Sequence, residues 1–159
     1  ALAIQPRHLP ATINTEDVMP TLLRLCGQAI PPSVEGLDFT SAMRGGPDPS
    51  GGATMICCMS PFGEFVRKRG GREYRAVRTA QSTYVRDLNG PWLLYDNEAD
   101  PYQLNNLAGK PGQAQRQARM EALLQTKLIQ QHDEFRPGSE YIRQWGYQVD
   151  ENETVRYNP

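Results

Sequence analysis

Apolar residues recur at spacings of three and four near the start of the chain, run together or alternate in its middle, and return to helical spacing toward its end. Val18, Met19, Leu22, Leu23, Leu25 and Cys26 share one helical face. Asn14 or Thr15 caps that helix, and Glu16 and Asp17 sit in the first turn, where the helix dipole favours acids. Gly27 ends it, and Pro20 lies early enough to be tolerated. Ile30-Pro31-Pro32 is extended, and residues 37–43 read as a short helix closed by Gly45-Gly46. These elements have apolar faces but too few partners for a core of their own, so they read as cut from a larger layer.

Residues 47–52 switch to Gly, Pro, Asp and Ser and read as a linker. Four strands are predicted after it: residues 54–60, a continuous apolar run; 73–79 and 82–87, joined by Ala80-Gln81; and 92–95, after the turn Asn89-Gly90-Pro91. Short connections favour an antiparallel meander, because parallel neighbours need a long crossover. A long helix is predicted over 113–135. Met120, Leu124, Leu128 and Phe135 keep one face, Leu123 and Ile129 flank it, and Pro137-Gly138 stops it. That stripe needs an apolar partner, and the sheet supplies one. Tyr141, Ile142, Trp145 and Tyr147 then mark a short helix with an irregular tail. The fold class is α+β: a four-stranded antiparallel sheet packed by one long C-terminal helix, preceded by a helical segment cut from a larger layer.

Composition narrows the function classes. The 159 residues include 14 glycines and 13 prolines, which implies many loops. Seventeen basic against eighteen acidic side chains give a net charge of -1. That balance gives no global attraction to nucleic acid or to an anionic membrane. The longest apolar runs, such as Met55-Ile56-Cys57-Cys58-Met59, are too short to span a bilayer. Ala-Leu-Ala-Ile-Gln-Pro at the start shows no basic region followed by an apolar stretch, so no signal peptide is expected, and the chain reads as a piece of a longer one. Cys26, Cys57 and Cys58 form no disulfide framework and read as small buried hydrophobes.

Candidate chemistry is sparse. His8 and His132 have no second ligand at helical or strand spacing and read as surface residues. No glycine-rich phosphate loop or serine nucleophile elbow occurs. Asp96, Glu98 and Asp100 alternate as calcium ligands do, but the turn glycine of a calcium loop is missing and Pro101 follows, so a solvated turn is expected. Residues 67–78 carry Arg67, Lys68, Arg69, Arg72, Arg75 and Arg78 against Glu73. Alternating arginines along a strand read as one solvated face, the other reading being a site facing an anion such as carboxylate, phosphate or sulfate.

Four stretches resemble the type I sulfatases. Residues 16–27, E-D-V-M-P-T-L-L-R-L-C-G, resemble that family's D-l-x-P-T-l-l-x-l-x-G helix. Pro31 to Phe39 is similar to its P-x-x-x-x-G-x-S-L stretch, with Asp38 where Ser is usual. Tyr74-Arg75-Ala76-Val77-Arg78-Thr79 and Tyr84-Val85-Arg86 look like its hairpin. Leu93 to Gln103, with Asn106-Leu107, resembles L-Y-D-l-x-x-D-P-x-E-x-x-N-L. The four occur in the family's order over about residues 10–130.

The resemblance implies a parent sulfatase that hydrolyses sulfate esters, of sulfated carbohydrates in the first reading, with an alkaline-phosphatase-like α/β domain. It also implies a calcium ion, a formylglycine made from Cys or Ser in a C/S-x-P-x-R motif, and export to periplasm, lysosome or cell exterior. No cysteine or serine here begins that motif, so no catalytic or metal residue carries over. This chain alone is expected to be inactive. The expected division is residues 1–50 as the incomplete end of the α/β domain, 51–136 as the C-terminal subdomain, and 137–159 as an extension. Arg67, Lys68 and Arg69, in the loop between the first two strands, are the candidate substrate contacts at the pocket entrance. Expected partners are the missing N-terminal domain and the sulfated substrate, with self-association through the exposed face of residues 15–26 as a further expectation. Alternatives are a phosphonate or phosphodiester hydrolase of the same superfamily and a stand-alone interaction module.

Overall fold

Local chemistry accounts for the first helix. In the computed structural model, which describes residues 8–61, 63–151 and 154, Asn14 and Asp17 form a capping box around a 3-10 turn, Thr15–Asp17, that leads into α1 (Val18–Leu25). The other oxygen of Asp17 accepts the Leu37 N–H at 2.7 Å, and the Thr21 hydroxyl accepts the Phe39 N–H at 3.1 Å. One buried acid and one buried hydroxyl therefore pin residues 37–39 against the helix. Gly36 is required there, because a Cβ would lie 2.0 Å from the Glu16 carbonyl oxygen. At the other end, Gln28 N–H bonds the Leu23 carbonyl and Gly27, at φ 72°, bonds that of Arg24. The short helix expected over residues 37–43 is confined to α2 (Thr40–Met43). The described residues up to Thr54, with Arg78–Gln81, group as one compact unit, and Met55–Val77 with those from Ser82 onward as another.

The apolar face read for α1 is not its buried face. Asp17, Pro20 and Thr21 are buried, whereas Val18, Met19 and Leu22 are about half exposed, as is Ile13.

The strands are β1 (Ala53–Cys58), β2 (Tyr74–Thr79), β3 (Ser82–Asp87) and β4 (Gly90–Asp96), an antiparallel sheet in chain order. β3 and β4 pair with Tyr84 opposite Leu94, both wholly buried, and slip register at Val85/Arg86. Asn106 covers the far side of β4: its Oδ1 accepts the Leu94 N–H and its Nδ2 donates to the Trp92 carbonyl, each at 3.0 Å.

α3 (Ala114–Gln130) packs on β3 through the buried stripe Met120, Leu124 and Leu128. Two details correct the expectation for it. Ile129, read as flanking the buried face, is 74% exposed. The helix also stops five residues early, because His132 adopts φ 53° and closes a Schellman motif, with the Asp133 N–H on the Leu128 carbonyl. α4 (Gly138–Trp145) follows. The cysteines are corrected too: Cys26 and Cys57 are exposed and Cys58 only half-buried.

Candidate functional site

The basic run folds into a clamped turn. Arg67–Arg69 form one 3-10 turn that Gly70 ends at φ 89°, and Gly71 N–H returns to the Val66 carbonyl. No side chain fits at Gly71, where a Cβ would stand 1.9 Å from the Phe65 carbonyl oxygen. Beneath the turn lies Glu73, its side chain only 3% exposed. Arg67 grips it with both terminal nitrogens, Nη1 at 2.6 Å from Oε2. The Gly138 N–H, at the start of α4, donates to the same carboxylate at 2.8 Å. Arg69 pairs with Glu64, and Lys68 is exposed. Of the three candidate contacts, Arg67 is thus tied to a buried acid, Arg69 to an exposed one, and Lys68 is exposed.

An open cleft of about 310 Å³ lies beside the turn, lined by Gly70, Gly71, Arg72, Glu73, Asp87, Leu88 and Asn89. Arg72 bonds Asp87 at 2.8 Å and lies 4.4 Å above the Trp92 ring. Trp92 tilts against Tyr74, centroids 6.1 Å apart, and Tyr74 meets Phe65 edge-on at 6.4 Å. Trp92 joins this surface without a signal in the sequence, since a single tryptophan after a Gly-Pro turn carries no charge pattern to mark it.

Arg75 overturns the reading of the arginines as one solvated face. Its side chain is wholly buried, paired with Asp133 (Nη2 to Oδ1, 3.1 Å), donating to the Tyr74 carbonyl at 3.1 Å and lying 4.6 Å over the Phe135 ring. Arg78, by contrast, is exposed. The anion that Arg75 faces is internal.

Burial acts to raise the Glu73 carboxyl, but the Arg67 guanidinium and the Gly138 N–H outweigh it and hold it below its ordinary 4.5. Burial likewise opposes Asp133, yet Arg75 and the Phe135 N–H hold it below 3.8. Groups with depressed folded-state values contribute stability that is complete above the ordinary values and is lost as pH falls through the folded ones. Urea midpoints are therefore expected to be flat from neutral pH to about pH 5 and to fall steeply below pH 4.5. Glu73→Gln would shrink that fall, and an unchanged acid slope in the variant would refute the assignment.

The remaining carboxylates are committed elsewhere. Asp96 accepts the Ala99 and Glu98 N–H groups and Arg116, and Asp100 accepts those of Leu104 and Asn105. The segment is a turn held by its own backbone. Glu121 binds the Tyr84 hydroxyl at 2.6 Å, as well as Arg86 and Gln125. Among the described residues, no group of three His, Cys, Asp or Glu is placed to hold a metal ion.

No protein-family profile matches the chain. It is 38% identical over a 146-residue alignment to an ulvan-active sulfatase of Formosa agariphila, covering 89% of this chain and 27% of that one. Among solved structures it is similar to a 2-O GAG sulfatase, with a TM-score of 0.62 and 28% identity, covering 76% of this chain and 25% of that one. It is also similar to a phosphonate monoester hydrolase of Silicibacter pomeroyi, with a TM-score of 0.56 and 25% identity, covering 75% and 25%. The chain spans about a quarter of the length of these relatives.

Proposed function

The chain is part of a sulfatase of the alkaline-phosphatase-like superfamily, and from that premise we propose that the whole protein hydrolyses sulfate esters of a sulfated carbohydrate. These residues support its fold and form one side of the pocket entrance. The observation that carries the reading is the clamped cationic turn Arg67–Arg69, on a stretch similar to a sulfatase that acts on ulvan. A cationic turn on a fixed base raises the local concentration of an anionic saccharide and orients its sulfate without reorganising.

The division into residues 1–50, 51–136 and 137–159 belongs to the same proposal. The half-exposed residues Val18, Met19 and Leu22 would be covered by the rest of the sulfatase, which supports a piece of a larger protein over a stand-alone module. Self-association through residues 15–26 is the other way to cover that face. Calcium and formylglycine, which the family supplies for attack on sulfur and for stabilising sulfate oxygens, do not fit the residues described here: Asp17, Glu73, Asp96 and Asp100 are held by backbone N–H groups and guanidiniums, and no Cys or Ser begins the C/S-x-P-x-R motif. No chemical step is assigned to this chain, and export is proposed for the parent on the resemblance alone. The phosphonate or phosphodiester hydrolase reading is kept by the likeness to the Silicibacter pomeroyi enzyme.

The test uses the parent enzyme. Arg67 also neutralises buried Glu73, so the clean variant is Lys68→Ala with Arg69→Ala. It is expected to raise KM for ulvan by about three- to tenfold, with kcat held and the effect fading at high salt. Unchanged KM refutes the contact. A larger specificity constant for phosphonate monoesters than for sulfate esters favours the second reading. In the same assay the 159-residue chain alone, with calcium present, stays at buffer background on an aryl sulfate.

A further inference from the structure

α4 starts without a cap of its own. Pro137 precedes it and gives no side-chain hydrogen bond, so the first N–H of the helix, that of Gly138, is satisfied from another element, by the Glu73 carboxylate at 2.8 Å. The positive end of the helix dipole favours that anion. The seat admits only glycine. A Cβ at Gly138 would lie 2.6 Å from the Met59 carbonyl oxygen, 3.0 Å from the Ser60 Cβ and 3.1 Å from Glu73 Oε1. The approach to the helix is tied down as well: the Tyr141 hydroxyl accepts the Arg136 N–H at 3.2 Å, and Arg136 Nη2 donates to Gln144 at 2.8 Å.

Glu73 Oε1, the atom that takes the Gly138 N–H, also takes Arg67. One buried oxygen therefore joins the start of α4 to the basic turn. Arg67 opens that turn, and Lys68 and Arg69 follow on it. Losing either donor leaves a buried carboxylate short of a partner, so the other donor has to shift to compensate. The place of α4 and the conformation of the turn are thus fixed at the same atom.

We propose that Gly138 is a positioning residue for the substrate contacts: acting through Glu73 and Arg67, the start of α4 holds Lys68 and Arg69 in the conformation that meets the substrate. The stretch divided off above as an extension is then a working part of the binding surface. What the turn binds rests on the reading under Proposed function; the coupling of α4 to the turn does not.

The turn carries its own reporter, because trypsin cuts after Arg67, Lys68 and Arg69. In the 159-residue chain under native conditions, Gly138→Ala is expected to speed cleavage at those bonds roughly tenfold, the order set by one lost hydrogen bond to a buried carboxylate. Cleavage after Arg119 and Lys127, both in α3, should stay at the wild-type rate. Glu73→Gln should give a similar acceleration at the turn, and adding Gly138→Ala to it should give little more, because both act through one carboxylate. In the parent enzyme, Gly138→Ala should raise KM for ulvan about threefold with kcat held, and raise it no further once Lys68 and Arg69 are alanine. Wild-type cleavage of the turn in Gly138→Ala overturns the proposal. Equal acceleration after Arg119 and Lys127 does so too, since α4 would then hold the whole fold, as does full additivity with Glu73→Gln. An unchanged KM in Gly138→Ala, where Lys68→Ala with Arg69→Ala raises it, also overturns it. Failure of the substrate reading shows separately: Lys68→Ala with Arg69→Ala then leaves KM unchanged while the cleavage difference at the turn persists.

Discussion

Arg75→Met is expected to destabilise the protein by about 3–5 kcal/mol, the range for removing one member of a buried ion pair. The guanidinium is wholly enclosed and the Asp133 side chain only 11% exposed, so deleting the cation strands a carboxylate with little access to water. Met matches the aliphatic stem, which keeps the packing loss small. The damage should therefore be electrostatic, and Arg75→Met combined with Asp133→Asn should recover a large part of it. Urea unfolding of the single and double variants at pH 7 checks this. If the double variant is as unstable as Arg75→Met alone, the pair is not the source of the loss. A second signature follows from linkage: without Arg75 the Asp133 carboxyl rises, so the single variant should regain part of its deficit as pH falls toward 5, a window in which the wild type stays flat.

This arginine shows where reading the chain residue by residue stops. Its burial depends on Asp133, which is 58 positions away and lies in the segment where α3 was expected to continue. Read as one solvated face, the run misses that positions three apart on a strand point to opposite sides. The structure buries Arg75 against Asp133 and leaves Arg78 exposed. The cysteine expectation failed for a related reason: small size makes a thiol easy to bury but does not require it, and β1 lies at the edge of the sheet. The local features were legible, since their causes lie within a few residues. They include the Asn14 cap, the Gly27 stop, the two-residue hairpin at 80–81 and the turn at Asp96. The basic turn sits between these cases. Its charge run marks it in the sequence, but the clamp that fixes it comes from Glu73 and from Gly138, 65 residues further on. The conformation of the turn that carries Lys68 and Arg69 is thus set by contacts of long sequence separation, and motif matching locates the loop without describing it.

Leu124→Ala is expected to cost about 2–5 kcal/mol, with Ile129→Ala close to neutral. Both leucine and isoleucine fit the helical apolar stripe when the chain is read alone, and five positions separate them. Leu124 is wholly buried on the side of α3 that meets β3, near the wholly buried Tyr84 and Leu94, so truncation leaves a hole in a packed layer. Ile129 is 74% exposed one turn before the Schellman close, where losing its branch removes almost no packing. Thermal melts of the two variants separate these cases directly, and equal losses would mean that α3 is rotated from the orientation described. The contrast also bears on function. Glu121, one turn before Gln125 on the same helix, holds Tyr84 and Arg86, and the residues following α3 supply Asp133 and the Gly138 N–H to the buried acids and bases beneath the basic turn. On the proposed function, Leu124→Ala should therefore raise the parent's KM for a sulfated polysaccharide in parallel with its loss of stability, whereas Lys68→Ala with Arg69→Ala should raise KM while leaving the melting temperature where it was.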